Sequence, residues 1–239
     1  MEGNVLIIGA SGDIGVAIAE RLANDGYQLL LHYNKNRKKI DEFSEKLDKE
    51  CLLTVIQADL KNDIMIKEFL NKLVFPVDYI IFAGGAAHFG LFQDITEQIM
   101  NDMLTLHVKA PWMITHHLLP AMIQQKSGKI IFITSLWGDI GASNEVVYSS
   151  VKGAQNSFVK ALAKEVAPSE VSVNAISPGY IETKMNNYLG EDEKAALIAE
   201  IPINRAGLPS EIAHTVSFLL DKQSNYIQGE IINVNGAWK

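Results

Sequence analysis

Val5-Leu-Ile-Ile8 runs directly into Gly9-Ala-Ser-Gly12-Asp-Ile-Gly15, and helical spacing then continues over Ile14–Asn24. The apolar run is short and continuous rather than alternating, so it reads as a strand buried on both faces. Three glycines between such a strand and a helix meet a specific need. They allow φ > 0 and close backbone approach, so that open N–H groups and the helix dipole can hold a pyrophosphate. A plain βα turn is the alternative, and the spacing is not the strict GxGxxG pattern.

The rest of the chain repeats this alternation. Gln28–Leu31, Leu52–Ile56, Tyr79–Phe82, Lys129–Ile133, Val171–Ile176 and Ile231–Val234 read as further strands. Lys38–Lys49, Asp63–Leu73, Gln98–Gln125, Tyr148–Val166 and Ser210–Leu220 read as helices between them. The order predicts one α/β domain over residues 1–239, a doubly wound Rossmann fold with a seven-stranded parallel sheet, right-handed crossovers and helices on both faces. No repeat or linker interrupts it. Residues Lys184–Ile203 differ: they are charged, Asn-rich and follow a strand end, where an active-site lid belongs.

Composition narrows the function. With 21 Lys+Arg against 28 Asp+Glu, the net charge of −7 argues against a nucleic-acid binder. Cys51 is the single cysteine, which excludes an internal disulfide and a cysteine-based metal cluster; no metal is expected, and a reducing compartment fits. Ala110–Gln125, the longest stretch without Asp, Glu, Lys or Arg, contains Pro111, His116, His117 and Pro120 and is shorter than the roughly 20 apolar residues of a membrane span. No basic region precedes Val5, so a cytoplasmic protein without a membrane partner is expected.

Two further patterns carry chemistry. At the end of the second strand the chain reads His32-Tyr33-Asn34-Lys35-Asn36-Arg37-Lys38-Lys39, with no carboxylate before Asp41. An acidic residue there would take the ribose 2′-OH of NAD, whereas Arg37 or Lys38 could hold a 2′-phosphate, so NADP(H) is expected over NAD(H). A solvated helix start is the plain alternative. Tyr148-Ser-Ser-Val-Lys152 places a phenol and an ammonium one helical turn apart, an arrangement expected to lower the phenol pKa. Ser135, at a strand end 13 residues earlier, should meet Tyr148 beside a nicotinamide.

These motifs together resemble the short-chain dehydrogenase/reductase family over the whole chain. Gly9 and Gly15 match its TGxxxGxG turn, with Ile8 and Asp13 in place of the threonine and middle glycine. The resemblance implies Ser135, Tyr148 and Lys152 as catalytic residues. It implies cofactor contacts from Gly9, Ser11, Gly12, Asp13, Ile14 and Gly15; from Tyr33, Asn34, Arg37 and Lys38; and from the adenine-contacting Asp59 with Leu60. It adds Ala83, Gly84 and Gly85, the pair Tyr148 and Lys152, and Pro178, Gly179, Ile181 and Thr183 of an NxxxPGxxxT-like segment. A homo-oligomer, tetramer or dimer, is also implied. Two departures stand out: the NNAG segment reads Phe82-Ala-Gly-Gly85, and His107 occupies the place of the relay asparagine, where histidine could hold a water or carry a proton.

The implied reaction is hydride transfer to a ketone, either a small molecule or one attached to a carrier or protein. One branch of the resemblance is the 3-oxoacyl-[acyl-carrier-protein] reductases. A second, matching Leu106–Lys109, Trp137-Gly138, Gly141–Glu145 and Lys152–Gln155 more closely, is the reductases of a 5-aminopentanone on elongation factor P. In that branch Trp137 and Glu145 are substrate residues, with the Glu145 carboxylate facing a distal ammonium; a helix-terminal carboxylate favoured by the dipole is the alternative. A catalytically silent NADP sensor is the remaining reading.

Overall fold

The structure, a computed structural model, describes residues 2–48, 50–186 and 190–238. Seven strands form one parallel sheet: β1 (Asn4–Ile8), β2 (Gln28–Tyr33), β3 (Leu52–Gln57), β4 (Tyr79–Phe82), β5 (Gly128–Ile133), β6 (Val171–Pro178) and β7 (Ile231–Val234). Their order across the sheet is β3-β2-β1-β4-β5-β6-β7, so direction of travel reverses between β1 and β4. The single Rossmann-type domain is as expected. Val5 and Ile7 enter the core layer with Ile18 and Val216, while Leu6 and Ile8 enter the opposite layer with Phe69, Phe132 and Val159. Both faces are therefore covered, which is why the strands lack polar alternation.

The helices are α1 (Asp13–Asn24), α2 (Arg37–Ser44), α3 (Asp63–Asn71), α4 (Glu97–Leu104), α5 (Ala110–Gln125), α6 (Trp137–Ile140), α7 (Val146–Val166), α8 (Glu191–Glu200) and α9 (Pro209–Leu220). Besides the short α6, which the sequence pattern did not predict, three departures from expectation stand out. First, α2 is capped by Asn36, whose side chain accepts from the Lys39 N–H, and ends five residues early. Second, the helix expected over Gln98–Gln125 is divided by a π turn at Thr105–Lys109. Pro111 explains the break: it has no N–H to offer the His107 carbonyl four residues back, and Gln155 Nε2 donates to that carbonyl instead at 2.7 Å. Third, the expected lid contains α8, whose first turn is acidic and whose Glu193 accepts from the Gly190 N–H. Residues 187–189 of that stretch lie outside the described residues. Among the described residues no helix is long and apolar enough to cross a membrane.

The turn after β1 is locked from two sides. Gly9 has φ +84°, and a Cβ there would fall 2.3 Å from Gly84 Cα beyond β4. Gly9→Ala is expected to cost roughly 2–4 kcal/mol, combining left-handed backbone strain with overpacking against immovable backbone. Urea unfolding of the two proteins measures it; unchanged stability would show that the two turns can separate.

Candidate active site

A cleft of about 160 Å³ opens at the carboxyl ends of the central strands. It is formed where the sheet order reverses, the expected ligand position of an open α/β sheet. Ile14, Ala83, Gly84, Gly85, Ser135, Trp137, Glu145, Tyr148, Lys152, Pro178, Gly179, Ile181 and Thr183, all singled out in the sequence, line it together. Gly138 makes the assembly possible. A Cβ there would meet Lys152 backbone at 2.8 Å, so only glycine lets α6 lie against α7 and bring Ser135 and Trp137 to Tyr148.

Tyr148 and Ser135 line the cleft together, and the Ser135 Oγ accepts from the Trp137 N–H at 3.2 Å. Burial raises the phenol pKa to about 12; the Ser135 bond lowers it in part and the Glu145 charge raises it. The lowered phenol pKa expected from Lys152 is therefore corrected. The Lys152 ammonium lies 5.6 Å from the Tyr148 ring centroid and donates to the Ile133 carbonyl at 2.9 Å rather than to the phenol. Its own pKa is drawn down to about 7 by burial.

His107 packs edge-on to Tyr148 with centroids 5.8 Å apart. Its Nε2 faces Ala86, 2.9 Å from the carbonyl oxygen and 3.3 Å from the N–H, and its Nδ1 has no partner among the described residues. Burial, then the Lys152 charge, lowers its pKa to about 3, so the ring is neutral and cannot store a proton as imidazolium near neutrality. Glu145 is also buried, at 7% exposure. Burial raises its carboxyl pKa to about 7 against a hydrogen bond from Trp137 that lowers it.

The outer arm is looser. Gly12 caps α1 without a side-chain cap bond, leaving the helix-start N–H groups and dipole available to an anion. Asp13 interrupts this pattern. Its carboxylate pairs with the Lys39 ammonium and accepts from the Lys184 N–H at 2.6 Å. Burial pushes this carboxyl up, but those partners outweigh it and hold it below the usual range. Of the cations expected at a 2′-phosphate, Arg37 bonds Asp41 at 2.7 Å and the Tyr33 hydroxyl at 3.4 Å, while Lys38 lies 3.7 Å from Glu42 in the open. Tyr33 is buried, and Asp59 closes a short turn by accepting from the Lys61 N–H at 3.1 Å. Leu60 instead lines a small cavity with His32 and Gln155.

Sequence reading missed several neighbours: Lys39 at the turn, Gln155 at the π turn, and Trp238, whose ring meets Trp137 at 5.1 Å. Pro111 was a usable signal for the π turn; nothing local signals the Trp238 contact. The uncapped α1 start, the glycine contacts and the convergent Ser135, Tyr148 and Lys152 form a donor set that fits a nicotinamide dinucleotide.

Comparison with known proteins agrees with this geometry. The family described as enoyl-(acyl carrier protein) reductase matches residues 9–238. The chain belongs to the short-chain dehydrogenase/reductase family and is an NAD(P)-dependent oxidoreductase. It is 46% identical to the uncharacterized oxidoreductase YmfI of Bacillus subtilis, covering 100% of this chain and 99% of that one. It is 33% identical to the 3-oxoacyl-[acyl-carrier-protein] reductase FabG of Aquifex aeolicus, over 99% and 98% of the two chains. A short-chain dehydrogenase/reductase structure from Brucella melitensis superposes with TM-score 0.91 at 28% identity, covering 100% of this chain and 97% of that one. None of these relatives supports the elongation factor P branch specifically.

The buried titratable groups set an acid response. His32 and His107, ordinarily near 6.5, are held near 4 and 3, so between pH 6.5 and 4.5 the unfolded chain binds protons that the folded chain does not, and stability falls with pH. Glu145, raised from 4.5 to about 7, acts oppositely: its contribution is full below 4.5 and is lost as pH rises through 7. Two histidines outweigh one carboxyl, so the urea midpoint is expected to drop across that window. His107→Asn should remove most of the net slope; a slope equal to wild type would contradict the burial assigned to His107.

Proposed function

We propose that this enzyme uses NADPH to reduce a ketone to a secondary alcohol, and that its substrate is a 3-oxoacyl thioester on a carrier protein. The observation that carries the chemistry is the convergence of Ser135, Tyr148 and the buried Lys152, one helical turn from Tyr148, on one cleft wall. The 3-oxoacyl-[acyl-carrier-protein] reductases among the relatives support the substrate class. A reduced nicotinamide bound in the cleft supplies the hydride. Ser135 Oγ donates a hydrogen bond to the carbonyl oxygen, and Tyr148 Oη gives its proton to the oxygen as negative charge develops there. A phenol raised to about 12 is fully protonated at neutral pH, the form a reductase needs in its donor. Lys152 is assigned to the nicotinamide ribose. His107, as a neutral ring beside Tyr148, is assigned to the proton relay as the acceptor that holds a water at Nδ1. Arg37 is assigned to the 2′-phosphate, and the residues after β6 to a lid.

A homo-oligomer is proposed as well, with exposed Leu104 and Trp112 on α4 and α5 as its apolar face. A cytoplasmic location goes with the single unpaired cysteine.

Glu145 favours a second reading, in which the ketone carries a distal ammonium, such as the aminopentanone on elongation factor P. A buried carboxyl on the cleft wall gains a partner from such a substrate and gains nothing from a neutral acyl chain. The exposed Glu191, Asp192 and Glu193 of α8 add to the same sign of charge.

Tyr148→Phe is expected to lower kcat at least about 100-fold while leaving cofactor binding intact, the loss typical of a missing general acid. Turnover at the wild-type rate would refute the assigned donor. For the substrate, purified enzyme is offered acetoacetyl carrier protein and an aminated ketone in competition. The thioester reading expects faster reduction of the carrier substrate, with Glu145→Gln changing little. If instead the aminated ketone is preferred and Glu145→Gln costs it about 1–3 kcal/mol in kcat/KM, the second reading replaces the first.

A further inference from the structure

We infer that His32 is a positioning residue for the dinucleotide groove: its imidazole ties the turn after β1 to the chain leaving β3 and so fixes the spacing of the two segments between which the nucleotide half would lie. The inference rests on reading that groove as the cofactor site.

β2 reads Gln28-Leu-Leu-Leu-His-Tyr, so an imidazole stands in a strand buried on both faces, at 4% exposure. Such burial is costly unless both ring nitrogens find partners. Both do, and the partners belong to different segments. The Gly9 N–H donates to Nδ1 at 3.2 Å, and Nε2 lies 3.1 Å from the Ala58 carbonyl oxygen. The His32 carbonyl also accepts from the Ala10 N–H at 2.9 Å, so the glycine turn is held to this one residue by backbone and by side chain. Phe69 of α3 packs edge-on against the ring at 5.2 Å and restrains its rotation.

The partners dictate the tautomer. Gly9 offers a donor and Ala58 an acceptor, so the hydrogen must sit on Nε2 and Nδ1 must be bare. An imidazolium would turn an Nδ1–H against the Gly9 N–H and open the tie on the pyrophosphate side. Burial favours the neutral ring and holds it so down to about pH 4; the bond to Ala58 and the charge of Asp59, on the β3–α3 connection, oppose this only in part. Gly9 has no room to compensate, being pressed against Gly84. A histidine present only to fill the core would not need to join two segments that both face the groove.

The test uses the intact enzyme with NADP⁺ as the calorimetric probe, ¹⁵N NMR of the imidazole, and steady-state turnover. Wild type is expected to show His32 as the neutral Nε2–H tautomer at pH 6. His32→Leu, which removes both bonds, should weaken NADP⁺ binding about 10-fold or more while kcat at saturating NADPH stays within about 3-fold. His32→Gln, whose amide restores a donor and an acceptor, should recover most of the affinity. Between pH 5 and 3.5, the range in which the His32 ring charges, the wild-type Kd should rise more steeply than that of His32→Gln, a difference that a purely structural role would not produce. An Nδ1–H tautomer or an imidazolium at pH 6, wild-type affinity in His32→Leu, or equal pH dependence would each overturn the inference. If His32→Leu does not fold, the tautomer and the glutamine comparison decide. Failure of the wild-type enzyme to bind any nicotinamide dinucleotide would overturn the groove reading together with it.

Discussion

The approach of Gly9 to Gly84 is the constraint on which the rest of the molecule depends. Backbone meets backbone where the sheet order reverses, and no side chain can be inserted without parting β1 from β4. That contact narrows the floor of the cleft, aims the uncapped start of α1 across it, and leaves the cofactor groove bounded by main chain rather than by mobile side chains. Preorganised N–H groups of this kind need little rearrangement when an anion arrives.

Around this fixed floor the protein buries several polar side chains that are tied to backbone at the cleft end of the sheet. Lys152 donates to the Ile133 carbonyl, Gln155 to that of His107, His107 meets Ala86, and His32 joins Gly9 to Ala58. Each bond offsets part of the desolvation of its side chain and fixes a loop whose backbone would otherwise lack a partner. The same burial produces the shifted titrations: two neutral histidines, a weakened ammonium, a carboxyl near neutrality and a phenol that keeps its proton. Desolvation rather than pairwise charge is the largest cause in every one of these groups, which makes the site sensitive to anything that admits water.

The chemistry of the class is thus supported by arrangement, and the buried acid Glu145 is the feature of the cleft that distinguishes the two proposed substrates. The 3-oxoacyl-[acyl-carrier-protein] reductases to which the chain is similar act on a carrier-bound acyl group, and in this chain Glu145 places a titratable carboxyl on the same cleft wall as Tyr148. With its pKa raised to about 7 by burial, this group lies between a neutral wall and an anion near neutral pH.

Much of this was legible in the sequence. Continuous apolar runs gave seven strands, because burial on both faces leaves no room for polar alternation; the Gly-rich turn, the YxxxK spacing and the strand-end serine located the cleft, because their geometry is local or set by strand direction. Tertiary structure alone decided the rest. The Tyr148 pKa rises because the folded chain buries the phenol, while the Lys152 ammonium one turn away gives its hydrogen bond to the Ile133 carbonyl, and no spacing along a helix reveals either. The capture of the His107 carbonyl by Gln155, nearly fifty residues away, and the engagement of the His107 ring with Ala86 are contacts of the folded chain. Lys39 rather than Arg37 or Lys38 reaches Asp13 of the Gly-rich turn because α2 begins at Arg37, which sets which of its cations faces that turn. Sequence periodicity fixes which face is buried; the partner of each buried polar atom is set by chain segments that meet only after the sheet has closed.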